Sequence, residues 1–164
     1  MTKKLFFFTF VLFFLMSCSD KDKKIIGTWE RTVTENDGGK YLETYTFYDE
    51  KNDKRIEYSY VPHDYSHIGY KANGRWDLDL IGNLELYIDP GTTKAVYNFD
   101  PDEWQKNQIN LYISSVKLAL SRQLKEMEDA SIGLEISDNI MVLETLSGKD
   151  RFHRVDFLFD TPNN

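Results

Sequence analysis

The sequence predicts a mainly β protein, an antiparallel up-and-down β-barrel with one amphipathic helix inserted before the last three strands. Short stretches in which apolar and polar residues alternate recur along the chain, as expected of strands with one buried face. Clusters rich in Gly, Asn and Asp separate these stretches at hairpin spacing. One long segment instead repeats its apolar residues every three or four positions, which is typical of a helix. Many short strands joined by hairpins favour a closed barrel or a sandwich.

The first 17 residues predict a signal peptide rather than part of this fold. Lys3 and Lys4 precede an apolar run of about a dozen residues, which is shorter than the roughly 20 residues that a membrane-spanning helix needs. The sequence Leu15-Met16-Ser17-Cys18 that follows resembles the lipid-attachment box of bacterial lipoproteins. The resemblance implies that residues 1–17 are removed and that Cys18 carries acyl chains. The alternative is an ordinary secretory signal followed by an incidental cysteine.

The mature chain would contain 147 residues, enough for one domain with a real core. Loss of two lysines leaves 18 basic against 27 acidic residues, a net charge of −9, which argues against nucleic acid as a partner. With Cys18 lipidated, no thiol remains for a disulfide or a metal–thiolate site. Residues 18–24 are charged beyond the cysteine and predict a short tether to the barrel domain, residues 25–160. Ser19, which stands where an aspartate would retain enterobacterial lipoproteins in the inner membrane, favours the outer membrane by resemblance.

Six strands are predicted before the helix. The turn signals between them include Asn36-Asp37-Gly38-Gly39, the polar cluster at 49–53, Ile81-Gly82-Asn83 and Asp89-Pro90-Gly91. The strands are expected at residues 25–34, 40–48, 54–61, 70–80, 84–88 and 94–99. Alternation assigns these residues to the inward faces: Ile25, Gly27, Trp29, Val33, Tyr41, Tyr45, Phe47, Ile56, Tyr58, Tyr60, Trp76, Leu78 and Leu80.

The helix is predicted to begin with Asp100 as its N-cap, Pro101 at its first position and Glu103 three residues after the cap. One apolar stripe follows: Ile109, Ile113, Val116, Leu120, Leu124 and Met127. Leu111 and Leu118 lie off this stripe, as does Tyr112, which suggests cover on more than one side. The stripe either packs on the barrel or plugs one mouth; the alternative is that the helix is a movable lid or binds a partner.

Three further strands are expected at residues 132–137, 140–146 and 152–159. Asp138-Asn139 and Ser147-Gly148-Lys149-Asp150 are predicted to form the two turns between them. The last residues, 161–164, are expected to fray.

The opening of the first strand, Ile26-Gly27-Thr28-Trp29, resembles the Gly-x-Trp signature of lipocalins, especially the lipocalin-like domains of Bacteroidetes lipoproteins. The resemblance implies that Gly27 and Trp29 close the base of the barrel. It also implies that Trp29 stacks on a basic residue of the last strand, for which Arg154 is the first match and Arg151 the second. The chain departs from the family in two ways: the helix precedes the last three strands, and the usual disulfide is impossible.

Four aromatic residues are the candidates for binding a ligand, because an eight-stranded barrel can hold one small molecule near its open end. They are Tyr45, Tyr58, Tyr60 and Trp76. Their rings would contact an apolar ligand and their hydroxyls or indole amide would orient it. The alternative is that they fill the core.

No metal, cofactor or catalytic residue is predicted. His63, Asp64 and His67 lie in a loop that contains Pro62, where a spacing of four does not bring two imidazoles together, so they are expected to be solvated. Asp77 and Asp79 are expected on the outer surface. Ser114 and Ser115 lack the Gly-x-Ser-x-Gly elbow of a hydrolase.

The sequence therefore predicts a lipid-anchored protein of the cell envelope, at the outer membrane, with a non-catalytic barrel that binds a small apolar ligand. The second possibility is a structural or accessory subunit that has a filled barrel and binds another envelope protein. An enzyme has no support in any catalytic arrangement of residues. A large empty cavity would favour the ligand, and a filled barrel with an exposed apolar patch would favour the protein partner.

Overall fold

The computed structural model describes residues 21–36, 38–63, 68–127, 132–145 and 148–155. Within these ranges, residues 21–25 are helical (α1) and a long helix, α2, spans Glu103–Met127. The strands are β1 Gly27–Thr34, β2 Lys40–Glu50, β3 Asp53–Pro62, β4 Gly69–Leu78, β5 Leu84–Ile88, β6 Lys94–Val96, β7 Gly133–Ser137, β8 Ile140–Thr145 and β9 Gly148–Val155. A 3₁₀ turn, Pro90–Thr92, separates β5 from β6.

All described strand pairs are antiparallel, and each strand lies beside its neighbours in the order β5-β4-β3-β2-β1-β9-β8-β7. β6 pairs with β4 beyond the end of β5, so β5 and β6 occupy one interrupted position in the sheet. Two backbone hydrogen bonds close the ring between β5 and β7: Leu84 N donates to Ile132 O at 2.8 Å, and Ile132 N donates to Leu84 O at 3.1 Å. The predicted up-and-down barrel with a helix before its last three strands is confirmed.

The two ends of the barrel differ. We call the end that carries α1 and the β2–β3, β4–β5 and β7–β8 turns the closed end. The opposite end, which carries the β1–β2 and β3–β4 loops, is the open end. Apolar side chains fill the barrel towards the closed end: Ile25, Trp29, Phe47, Ile56, Trp76, Leu84, Met141 and Phe152 are buried. This part of the interior is therefore a packed core.

Helix α2 packs against β5, the 3₁₀ turn and β6. Ile109 and Leu120 on its predicted stripe are buried. The sequence suggested that other elements cover the helix on a second side. This prediction is wrong at Leu111 and Leu118, which are 62% and 54% exposed. The N-cap is also not Asp100 but Asp102, because a capping box forms there: Gln105 N donates to Asp102 Oδ1 at 2.7 Å, and Asp102 N donates to Gln105 Oε1 at 2.9 Å.

Several strand boundaries differ from the sequence prediction, and three of these differences change the place of a predicted residue or turn. β1 begins at Gly27, because Ile25 ends a helical segment and is buried from there. β4 ends at Leu78, so the inward position predicted for Leu80 is wrong: that side chain is 95% exposed in the following turn. β9 begins at Gly148 rather than 152, because residues 148–150 pair with β8 instead of forming a turn.

The described part of the predicted tether contacts the closed end instead of extending from it. Lys21 Nζ donates to Gly82 O at 3.1 Å and to Leu134 O at 3.3 Å. The Asp22 carboxylate accepts from Lys54 Nζ at 3.0 Å. Residues 21–25 thus cover the base of the barrel.

Candidate functional site

The three residues with a predicted structural role meet at the closed end. Trp29 on β1 and Arg154 on β9 are directly paired across the strands, and the Arg154 guanidinium carbon lies 4.5 Å from the centre of the Trp29 ring system. Gly27 has φ +123°, and a Cβ there would lie 3.5 Å from Arg154 Nη1. The backbone conformation therefore requires glycine, whereas a Cβ at this distance would only make ordinary contact with the guanidinium. Arg151, the second candidate, is exposed.

A polar layer lies above this core, centred on the buried carboxylate of Glu43. Arg31 Nε donates to Glu43 Oε2 at 2.5 Å, and Arg31 Nη1 also donates to the Asp150 carboxylate. The hydroxyls of Tyr58 and Tyr45 donate to Glu43 Oε1 at 3.1 Å and 3.4 Å. Because one guanidinium and two hydroxyls satisfy the Glu43 carboxylate, this layer is a complete hydrogen-bonding network rather than a set of groups awaiting a ligand.

Burial changes the acid–base behaviour of the tyrosines in this layer. Removal from water, and then the negative charge of Glu43, raise the pKa of Tyr45 far above its usual value. Burial likewise raises the pKa of Tyr58, with neighbouring Tyr45 and Glu43 adding to the effect. Both side chains therefore keep their protons and act as hydrogen-bond donors across the physiological pH range.

An open cleft of about 440 Å³ lies above the polar layer at the open end. Its lining residues are Glu35, Asn36, Tyr41, Tyr60 and Tyr112. The Tyr41 and Tyr60 rings are stacked, with their centres 4.7 Å apart and an angle of 11° between their planes. The Tyr60 hydroxyl donates to the Glu35 carboxylate. The cleft thus combines aromatic ring surface with one carboxylate and several hydrogen-bonding groups.

Tyrosine rings continue from this cleft to the helix. The centre of the Tyr70 ring on β4 lies 6.0 Å from that of Tyr60 and 6.5 Å from that of Tyr112 on α2. Burial raises the pKa of Tyr112 to about 12. The helix therefore completes one wall of the cleft with a side chain that stays neutral.

The structure separates the four predicted ligand-binding residues. Only Tyr60 lines the cleft. Tyr45 and Tyr58 lie beneath it, with their hydroxyls bound to Glu43. Trp76 is 3% exposed near the closed end, where its indole N–H donates to Tyr48 O at 3.0 Å and Lys54 Nζ lies 4.9 Å from its ring centre.

Sequence reasoning did not select Tyr41, Tyr112 or Glu35 for the cleft, although it had a signal for two of them. Alternation already placed Tyr41 on the inward face of its strand, and Tyr112 lay off the apolar stripe of the helix. The buried Glu43 could have been found in the same way, because it shares the inward face of β2 with Tyr41 and Tyr45. Asp150, the second carboxylate that Arg31 binds, was assigned to a turn and so was missed.

The remaining candidates form no site in the described part of the chain. His63 is exposed, while Asp64 and His67 lie outside the described residues, as does Cys18. Among the residues that the structure describes, no group of three or more His, Cys, Asp or Glu side chains could hold a metal ion. Asp77 forms an ion pair with Lys54 at 2.8 Å, and Asp79 bonds within its own turn. Ser114 and Ser115 donate to carbonyls one turn back in α2.

No protein-family model, curated protein or solved structure matches this chain. Neither α1 nor α2, as far as each is described, has both the length and the apolar character needed to cross a bilayer.

Proposed function

We propose that this chain is a lipid-anchored protein of the cell envelope, at the outer membrane, whose lipocalin-like barrel binds a small ligand without catalysing a reaction. The open cleft lined by Tyr41, Tyr60 and Tyr112 carries the binding half of this proposal. Its volume of about 440 Å³ is within the range of small-molecule sites, roughly 300–1,000 Å³. The ligand site lies at the mouth, because the barrel below Tyr58 is packed.

The chemistry of the cleft favours a ligand with a flat apolar body and one hydrogen-bond donor. Tyrosine rings provide large contact surfaces at a small cost in conformational entropy. Glu35 provides an acceptor at the rim, and its present partner, the Tyr60 hydroxyl, can be displaced without disturbing a buried group. Glu43 is already satisfied below the cleft, so it supports the tyrosines and does not contact the ligand.

Native mass spectrometry of the full lipidated protein, extracted from the membranes of its own host, tests the binding function. A reproducible added mass is expected on the lipidated protein without any substitution, and this mass should be lost in Tyr60→Ala. The matched control is Tyr48→Ala, because Tyr48 is 41% exposed on β2 towards the closed end, away from the cleft. If the protein without any substitution carries no added mass and binds nothing from a lipid and metabolite extract, the proposed ligand-binding function is wrong.

The anchor is tested separately through Cys18. The Cys18→Ala variant should leave the membrane fraction or accumulate with its signal uncleaved, and it should fail to incorporate labelled palmitate. Palmitate on a chain that retains no Cys18 would contradict the assignment of the lipidated residue.

A second candidate function, an accessory subunit that binds another envelope protein, is favoured by the outer face of α2. Trp104, Leu111 and Leu118 are 69%, 62% and 54% exposed and recur every seven residues. This spacing places the three side chains on one face of the helix, where they form a narrow exposed apolar stripe. Leu111→Asp should then shrink a native membrane complex, whereas Asn110→Asp, exposed about 100° around the helix from Leu111, should not. An unchanged size, equal to that of one chain, would exclude this function.

A further inference from the structure

The turn between β4 and β5 presents two large apolar side chains to solvent. Leu80 is 95% exposed and Ile81 is 74% exposed. Hairpin tips ordinarily carry Gly, Asn, Asp or Ser, which form turns and are well solvated. Leucine and isoleucine provide neither advantage, so their place at the tip needs another explanation. They are the two most exposed large apolar residues reported in the described part of the chain.

The tip is held in one conformation by its own polar groups. The Asp79 carboxylate accepts hydrogen bonds from Ile81 N and Asn83 N, both at 2.9 Å. Gly82, at φ +80°, donates its amide to Asp79 O at 3.0 Å. Hydrogen bonds to its carboxylate lower the pKa of Asp79, and the backbone N–H of Asn83 contributes most. The turn is therefore already ordered in the folded protein, and it projects the Leu80 and Ile81 side chains into solvent.

The tip also lies beside the start of the described chain. Lys21 Nζ donates to Gly82 O at 3.1 Å, directly after the exposed pair. Cys18 precedes Lys21 by three residues, which span at most about 11 Å when fully extended. Acyl chains on Cys18 would therefore enter a bilayer close to Leu80 and Ile81.

We propose that the Leu80–Ile81 tip inserts into the lipid surface beside the acyl anchor. This inference rests on the proposed lipidation of Cys18. The membrane contact would then consist of the acyl chains and the hairpin tip, two points that together restrict how the barrel tilts. Burial of apolar side chains drives this contact, so it does not depend on charge attraction to the lipid headgroups.

Insertion at this tip fixes which end of the barrel faces the membrane. The β4–β5 turn and the start of β1 both lie at the closed end, whereas the cleft lies at the open end. β1 covers eight residues between these ends, about 25 Å at roughly 3.3 Å per residue. The cleft would therefore open away from the membrane, into the aqueous compartment, with the packed closed end against the lipid headgroups.

Site-specific fluorescence in vesicles tests this orientation. Full lipidated protein carrying Leu80→Cys is labelled with an environment-sensitive fluorophore and reconstituted into phosphatidylethanolamine–phosphatidylglycerol vesicles that contain brominated acyl chains. Lipidation uses the thiol of Cys18, so the introduced cysteine is the only free one. We expect lipid-borne bromine to quench this label several-fold more than a label at Asn36→Cys, which is exposed at the open end. Soluble iodide should show the opposite preference.

A label at Ile81→Cys provides a second reading of the tip and should respond like the label at 80. If the protein floats with the vesicles but iodide quenches all three labels equally, the tip does not insert, although the anchor stands. Stronger quenching by bromine of the label at Asn36→Cys than of the label at Leu80→Cys would show that the open end faces the membrane, and it would overturn the inference. Failure of the unlabelled protein to float would overturn the anchor and, with it, this inference.

Discussion

Arg154 lies over Trp29, with its guanidinium carbon 4.5 Å from the ring centre, and the two residues are direct partners across β1 and β9. Arg154 Nη2 also donates to Lys24 O at 2.5 Å, and Trp29 Nε1 donates to Ile25 O at 2.7 Å. The pair therefore joins the first strand, the last strand and the end of α1. It holds the two terminal segments of the described barrel together.

Replacing Arg154 with alanine should lower the free energy of unfolding by about 2–3 kcal/mol, because a cation–π contact and a charge-assisted hydrogen bond are lost together. Arg154→Lys should lose less, since an ammonium group retains part of the contact with the Trp29 ring. Urea denaturation measures both changes. Arg151→Ala, on the same strand but exposed, should alter the free energy by no more than about 0.5 kcal/mol. Equal effects at 151 and 154 would contradict this role.

Removing one member of the hydrogen-bonding network around Glu43 should lower the free energy of unfolding strongly, because its partners stay buried. Glu43→Ala leaves Arg31 with Asp150 alone and removes the acceptor of Tyr58, so we expect a loss of about 3 kcal/mol in the free energy of unfolding. Glu43→Gln retains an acceptor oxygen and should lose less. Glu85→Ala, an exposed position on β5, is the matched control. A Glu43→Ala variant as stable as that control would show that the network contributes nothing.

The sequence predicted the barrel and the place of its helix because both depend on local pattern. Alternation and turn residues located the nine strands that the structure describes, and the largest error at a strand start was four residues, at β9. That error has a long-range cause. Lys149 and Asp150 look like turn residues locally. However, Lys149 pairs with Glu144 at 3.0 Å on β8, and Asp150 pairs with Arg31 on β1, the strand on the other side of β9.

The cleft was harder to predict because it depends on which inward residues are satisfied by each other. Tyr45 and Tyr58 carry the same pattern as Tyr60 in the sequence. Only the position of Glu43 distinguishes them, since it binds two of the hydroxyls and leaves Tyr60 at the surface of the mouth. The exposed turn at Leu80 was missed for a similar reason: alternation from Trp76 continues through it, but the hydrogen bonds of Asp79 end the strand first.

Alkaline pH should destabilise the protein through its buried tyrosines. Burial raises the pKa values of Tyr45 and Tyr58, so the folded chain keeps protons that the unfolded chain releases above about pH 10. Stability is therefore unaffected by these groups below pH 10 and falls as the pH rises further, by up to about 1.4 kcal/mol per pH unit for each tyrosine. Denaturation with urea at several pH values, followed by tyrosinate absorbance, measures this slope. Tyr58→Phe should show a shallower slope, and an unchanged slope would exclude Tyr58 as a source.

Substitutions at two leucines of α2 test whether the helix is a packed part of the barrel or a movable lid. Leu120 is 7% exposed and belongs to the main core, whereas Leu118 is 54% exposed on the same helix. Leu120→Ala should therefore lower the free energy of unfolding by about 2–4 kcal/mol, while Leu118→Ala should change it by no more than about 0.5 kcal/mol. Because the helix packs on β5 and β6, helical circular dichroism and the fluorescence of buried Trp29 and Trp76 should be lost in one transition. If Leu120→Ala loses helical signal while the tryptophan signal stays native, the helix separates from a folded barrel, as a lid would.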